Sequence, residues 1–266
     1  MNGTLPIAKN QMAEQVQKRA DVIQSLLAPG IDATQFVAAT MMEANNLAYQ
    51  LTADQLKDHR TVASFVRACV NAAVVGLVPG AALGHCYFIP YTMNRGKQGE
   101  FVAIQYIPGY RGFLELGFAS GFLVQCDPEV VLAKEEIRRW HDAKPRIEHT
   151  IPIPRGQQVA RENLVGAYCT YQTRHGGDGL VYLEREDILK VDTKRNVWKS
   201  DFGAMVLKCP IRRASKLWRL TRQLAYAVDL DERAERDETQ PSLVPEDKDA
   251  DEVIDLDALD ESLATS

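Results

Sequence analysis

No apolar run in this 266-residue chain approaches the ~18 residues of a membrane helix. Residues 1–10 lack the apolar centre of a signal peptide. These absences predict a cytoplasmic protein with no membrane partner. No G-x-x-x-x-G-K-[ST] stretch occurs, which excludes a nucleotide-hydrolysing P-loop. The five histidines form neither an H-x-x-x-H nor an H-E-x-x-H pattern. The five cysteines, Cys69, Cys86, Cys126, Cys169 and Cys209, are odd in number, and no two lie within four residues. That argues against a disulfide framework and a zinc knuckle, and predicts small buried core residues. Among the acids, Asp127, Glu129, Glu135 and Glu136 come closest to a metal-holding group, and they read as surface charge. His85 and His141 have no Ser or Cys placed as in a nucleophile elbow. No catalytic residue, metal or cofactor is expected.

What is present is an uneven charge. The chain carries a net charge of -5, but residues 229–266 hold 15 acidic and 3 basic residues, a net of -12, leaving +7 on the remainder. Between Lys190 and Arg222 stand ten Lys or Arg and only two acids, Asp192 and Asp201. A dense basic surface is the footprint of phosphate binding, although a basic run can also be an ordinary solvated face.

Hydrophobic periodicity and punctuation divide the chain into three regions. Residues 1–31 form a helical extension and candidate oligomer contact, with one helix over 11–28. Residues 32–228 form the main body. Asp32 with Gln35, and Thr52 with Gln55, read as helix starts; a further helix opens at Thr61 and ends on Gly76. Strands are expected over 83–91 and 101–107 around a loop at 93–99, then a helix over 112–120. A strand over 122–132 should be interrupted near Asp127-Pro128. Residues 138–150 suggest two short strands around Lys144-Pro145, and 164–173 with 180–183 a second hairpin. A short helix over 186–191 precedes the basic region. Residues 229–266 read as a disordered tail, in which the acidic and apolar alternation of 253–261 suits folding against a partner.

The sharpest physical signal is a basic helix over 204–226. Lys208, Arg212, Lys216, Arg219 and Arg222 fall within about 120° of arc, in a row about 20 Å long. Leu207, Ile211, Ala214, Leu217, Trp218 and Leu224 take the other side, and Arg213 lies at the edge of the stripe. Pro210 predicts that the regular helix starts or kinks near 208–210, after a short helix over 197–207. Trp198 stands between Lys194-Arg195 and Lys199, as a base-stacking aromatic or as a core anchor. Arg111, within Gly109-Tyr110-Arg111-Gly112, either meets a phosphate or pairs with Glu115.

Three blocks bear on identity. They are Gly76-Leu77-x-Pro79-Gly80-x-Ala82-Leu83-Gly84-His85-x-Tyr87 running to Pro90-Tyr91, then Gly109-Tyr110-Arg111-Gly112 with Gly121, then Trp198, Lys208 and Ile211-Arg212-Arg213. In order and spacing the chain resembles the RecT family of phage recombination proteins. The resemblance implies ATP-independent annealing of single-stranded DNA into duplex by a homo-oligomeric ring or helical filament. It implies an α+β fold of antiparallel β-hairpins and helices around a basic DNA groove, similar to Rad-type annealing proteins. It implies a bacterial host cytoplasm, and partnership through the tail with a phage exonuclease and the host single-strand-binding protein. Arg111, Lys208, Arg212 and Arg213 carry over as backbone contacts, and the loop with Arg95 and Lys97 as a further one. With the basic region added, the candidate DNA site comprises Arg95, Lys97, Tyr110, Arg111, Lys194, Arg195, Trp198, Lys199, Lys208, Arg212, Arg213, Lys216 and Arg219. The competing readings are a protective single-strand coat that does not anneal, and a metal-dependent nuclease.

Overall fold

The computed structural model describes residues 11–191, 196–218 and 221–241. The first helical stretch is two helices, α1 (Gln11–Lys18) and α2 (Ala20–Ser25), rather than one. Their apolar residues Met12, Val16 and Ile23 are fully buried in the main core. Residues 11–31 are therefore part of the body and not an appendage to it. In α3 (Ala33–Ala48) the Asp32 carboxylate accepts the Gln35 N–H at 2.7 Å, satisfying a helix-start donor. In α4 (Ala53–Lys57) Thr52 and Gln55 cap one another reciprocally, at 2.9 and 3.3 Å.

Helix α5 (His59–Val75) starts at the Asp58 cap, three residues before the expected Thr61. Gly76 ends it with φ of 85°. Thr61 is needed elsewhere: its hydroxyl donates to the Val102 carbonyl at 2.6 Å, and the Ser64 hydroxyl accepts the Ile104 N–H at 2.7 Å. Both carbonyl and amide belong to β2 (Phe101–Pro108), which pairs with β1 (Cys86–Met93) in a two-stranded antiparallel sheet. Further along β2, the Gln240 side chain accepts the Tyr106 N–H at 2.9 Å and donates to the Tyr106 carbonyl at 2.7 Å. Side chains thus close the strand edge that lacks a neighbour, which would otherwise offer a template for pairing.

Helix α6 (Tyr110–Ala119) follows β2 directly. Next come β3 (Leu123–Leu132), β4 (Glu136–His141), β5 (Pro145–Thr150), β6 (Leu164–Thr173) and β7 (Asp178–Glu184). They form an antiparallel sheet of order β3-β6-β7 and a separate β4–β5 ribbon. Strand β3 runs unbroken through Asp127-Pro128, opposite Thr170 and Cys169. The expected interruption does not occur because β3 is an edge strand, where proline is tolerated.

The last elements are α7 (Arg185–Lys190), α8 (Asn196–Ser200), α9 (Phe202–Ser215) and α10 (Arg222–Glu235). The basic helix expected over 204–226 is two helices. Helix α9 continues through Pro210 and stops at Ser215, and Thr221 caps α10. The buried Trp218 holds the corner, edge-on to Tyr171 at 5.9 Å. Helix α10 buries Leu224, Ala227, Leu230, Asp231 and Ala234, and each buried leucine contributes roughly 1.5–3 kcal/mol. The boundary expected at 229 is corrected accordingly: residues 229–241 belong to the body.

A large apolar cluster joins α1, α3, α5, α6, α10 and the β1–β2 hairpin, and a smaller one lies under β3, β6 and α9 around Val130, Leu132, Ile188, Trp198 and Val206. Four of the cysteines are buried, Cys209 is partly so, and all five are free thiols. Among the described residues, no helix is long and apolar enough to cross a membrane.

Candidate nucleic-acid interface

The first turn of α6 presses on the start of β1. A side-chain carbon added to Gly109 would lie 2.3 Å from the Gly84 carbonyl oxygen, and one on Gly112 would lie 2.1 Å from that of His85. Only glycine permits this approach. It places Arg111, which is exposed, beside Gly84 and Tyr87 at the positive end of a ten-residue helix. The guanidinium donates to the Tyr110 hydroxyl at 3.2 Å and lies 5.8 Å from that ring's centre. It is not paired with Glu115, the alternative that the sequence left open.

Neighbouring groups share the field of this cluster. Burial lowers the pKa of His85, opposed by Glu115 and reinforced by Arg111. Burial raises that of Tyr87, as does the nearby Asp201 carboxylate, while Arg111 opposes them. Asp201 caps α9, its carboxylate accepting the Ala204 N–H at 3.1 Å. Lys199, two residues upstream, is exposed. Exposed cation, half-buried tyrosine rings and a helix start form an arrangement that can hold a phosphate with an aromatic surface beside it.

The cations of α9 are used differently. Lys208 Nζ lies 2.5 Å from Asp231, with the two side chains 8% and 2% exposed. Arg212 bonds Asp231 at 3.1 Å and also Glu235, and Lys216 bonds Glu232. All three acids belong to α10. The expected solvent-facing row is thus an ion-pair ladder between two helices. The correction has a plain cause: the cations and the acids that neutralise them lie 16 to 23 residues apart, beyond the reach of any helical periodicity.

Trp198 is 4% exposed and packs on Phe202 with ring centres 6.0 Å apart, so it is a core anchor and not a stacking platform. Arg213 is exposed on α9. Lys194, Arg195 and Arg219 lie outside the described residues. Arg95 and Lys97 are exposed in the β1–β2 loop, whose backbone Arg60 clamps through the Gly99 carbonyl at 3.1 Å. That loop stands at the far end of the hairpin from Arg111, about 24 Å away for eight-residue strands. The fold therefore keeps Tyr110 and Arg111 together at the start of α6 and leaves the loop apart.

Two features escaped the sequence. One is the set of α10 acids. The other is a partly buried network in which Arg155 donates to Glu135 at 2.6 Å and Glu129 at 3.0 Å, and His149 meets Glu135 at 3.1 Å. Glu135 and His149 are each 2% exposed in their side chains, so Glu135 is not surface charge. The network fastens the β4–β5 ribbon to β3 and β6, with Tyr168 of β6 3.3 Å from His149.

The architecture is an α+β body of antiparallel sheets and helices, with cations exposed at its helix starts and loops. The chain belongs to the RecT family, whose model matches residues 34–244, from α3 to beyond α10. Protein RecT of Escherichia coli (strain K12) is a relative, 27% identical over 175 residues. The match covers 64% of this chain and 63% of that protein, less than two thirds of the relative's length.

Proposed function

We propose that this protein anneals complementary single strands of DNA without ATP, in homologous recombination. The observation that carries the reading is RecT family membership across nearly the whole described body, residues 34–244. Two DNA strands repel through their phosphates. Cations such as Arg111, Lys199 and Arg213 neutralise one strand and leave its bases accessible, and base pairing then supplies the free energy. No catalytic step is required.

In this reading the protein works as a homo-oligomeric ring or helical filament, lining a basic groove as Rad-type annealing proteins do. The exposed face of α1 and α2 is the candidate contact between copies. Lys194, Arg195 and Arg219, together with the loop bearing Arg95 and Lys97, extend the DNA contact. Lys208, Arg212 and Lys216 support it from within by fixing α9. The acidic residues 242–266 compete with DNA for the groove, or engage a phage exonuclease or the host single-strand-binding protein in the bacterial cytoplasm.

The test is annealing of two complementary labelled oligonucleotides, without nucleotide and below the concentration at which they pair unaided. Protein-dependent pairing of intact strands is expected, with none for a non-complementary pair. Tight binding without pairing would replace the reading with a protective coat. Strand scission in magnesium would replace it with a nuclease.

A further inference from the structure

The β4–β5 ribbon presents an aromatic and cationic surface of its own. Strand alternation puts Ile137 and Arg139 on one face, with Ile147 and His149 across from them. That face packs on the sheet: Arg139 lies 3.8 Å from the centre of the Tyr182 ring, and His149 meets Tyr168. Arg138 and Trp140 share the other face, with the Arg138 guanidinium 5.7 Å from the Trp140 ring centre. Arg146 is the cross-strand partner of Trp140. Of the three tryptophans, Trp140 is 37% exposed, whereas Trp198 and Trp218 are each 4% exposed.

Trp140 also borders a cleft of about 540 Å³ between the ribbon and the β3–β6–β7 sheet. That volume falls in the range of small-molecule pockets, about 300–1,000 Å³. Gln125, Thr170 and Gln172 line it from the sheet, and Lys144 and Arg146 from the ribbon. Asp127, Glu148 and Asp178 border it too, so an anion is repelled from the interior. A neutral nucleobase is the part of a nucleotide that fits inside, with its phosphates left at the cationic rim. The cations there are available: Arg146 pairs with Asp142 at 3.2 Å and Lys144 with Asp178 at 3.7 Å, all more than half exposed, and such pairs are weak in water.

We propose that this cleft is a second single-strand contact, in which an unpaired base stacks on Trp140 while Arg138, Lys144 and Arg146 meet the flanking phosphates. The proposal rests on the DNA-binding reading above and adds a site to it. The amide and hydroxyl groups of Gln125, Thr170 and Gln172 line the cleft, with the Gln125 amide donating to Asp127 at 2.6 Å. They offer both donors and acceptors, so any base is accepted. The Arg155–Glu135–His149 network holds the ribbon over the sheet and so sets the width of the cleft.

The test uses the full chain and two readouts: anisotropy of a labelled strand for binding, and tryptophan emission for stacking. An oligo(dT) strand should raise anisotropy and quench emission, and an abasic strand of equal length should bind with little quenching. Trp140→Phe should bind oligo(dT) within about twofold of the parent and lose the quenching, whereas Trp140→Ala should bind about tenfold more weakly. Binding without quenching, or quenching that survives in Trp140→Phe, overturns the ribbon site alone. A strand that fails to bind at all overturns the annealing reading and the ribbon site together.

Discussion

The α9–α10 pair and the start of α6 contain the same kinds of residue put to opposite uses. On α9, Lys208 and Arg212 are withdrawn from water and bonded to Asp231, a carboxylate 2% exposed. At the start of α6, Arg111 stands in solvent beside the Tyr110 hydroxyl and ring. A cation that is already neutralised and buried has little left to offer a phosphate, since leaving its partner uncompensated costs more than the new contact returns. Density of positive charge along a chain therefore marks where cations are, and the partner helix decides which of them a ligand can reach.

The largest expected effect of a single substitution tests the buried side of that contrast. Asp231→Ala removes the shared partner of Lys208 and Arg212, and should destabilise the protein by about 3–5 kcal/mol in denaturant unfolding. Arg111→Ala should stay within about 0.5 kcal/mol of the parent in the same experiment. If Asp231→Ala is equally mild, the ladder is not structural and the contrast fails.

Truncation sharpens the same comparison. Removing residues 229–266 deletes Leu230, Asp231, Ala234 and the Gln240 clamp on β2, and should abolish cooperative unfolding. Removing only 242–266 should leave the folded body, with DNA affinity at least equal to that of the full chain. A cooperative transition in the longer deletion would show that α10 is dispensable.

Salt dependence examines the exposed side. Arg111→Ala should reduce the slope of log affinity against log salt by about 0.7 for single-stranded DNA, with similar losses across sequences. An unchanged slope would move the interface away from α6.

The smallest effect concerns acid. Burial by itself raises the pKa of Glu135, but Arg155, the Leu132 N–H and His149 outweigh it and hold the carboxyl below its ordinary value. A depressed carboxylate stabilises the fold fully above its unfolded pKa, about 4.3, and loses that contribution as pH falls through the folded value. Glu135→Gln should therefore lower stability at pH 7 and flatten its decline below about pH 4. A parallel profile would exclude the network as a source of acid sensitivity.

Much of the local structure was legible in the sequence. The caps at Asp32 and Thr52, the stop at Gly76, both long hairpins and the Gly-Tyr-Arg-Gly turn are written in neighbouring residues. So was the membership suggested by the three blocks, since family model and motifs coincide over 34–244. The ribbon was half legible. Arg138 and Trp140 alternate as a strand face requires, but nothing adjacent in the chain signals the cleft beneath them.

What the sequence determined by itself was therefore local and periodic: element types, turns, and the family pattern that they carry. Only the tertiary structure decided which charges neutralise one another. It folded α10 onto α9, drew residues 229–241 out of the acidic tail and onto the body, sank Trp198 and left Arg111 and Trp140 exposed. The physical reason is range. Capping and strand alternation act over two to four residues. Desolvation and ion pairing act wherever the packed chain happens to bring two groups together: the α9–α10 partners are up to 23 residues apart, and Arg139 and Glu184 pair across 45.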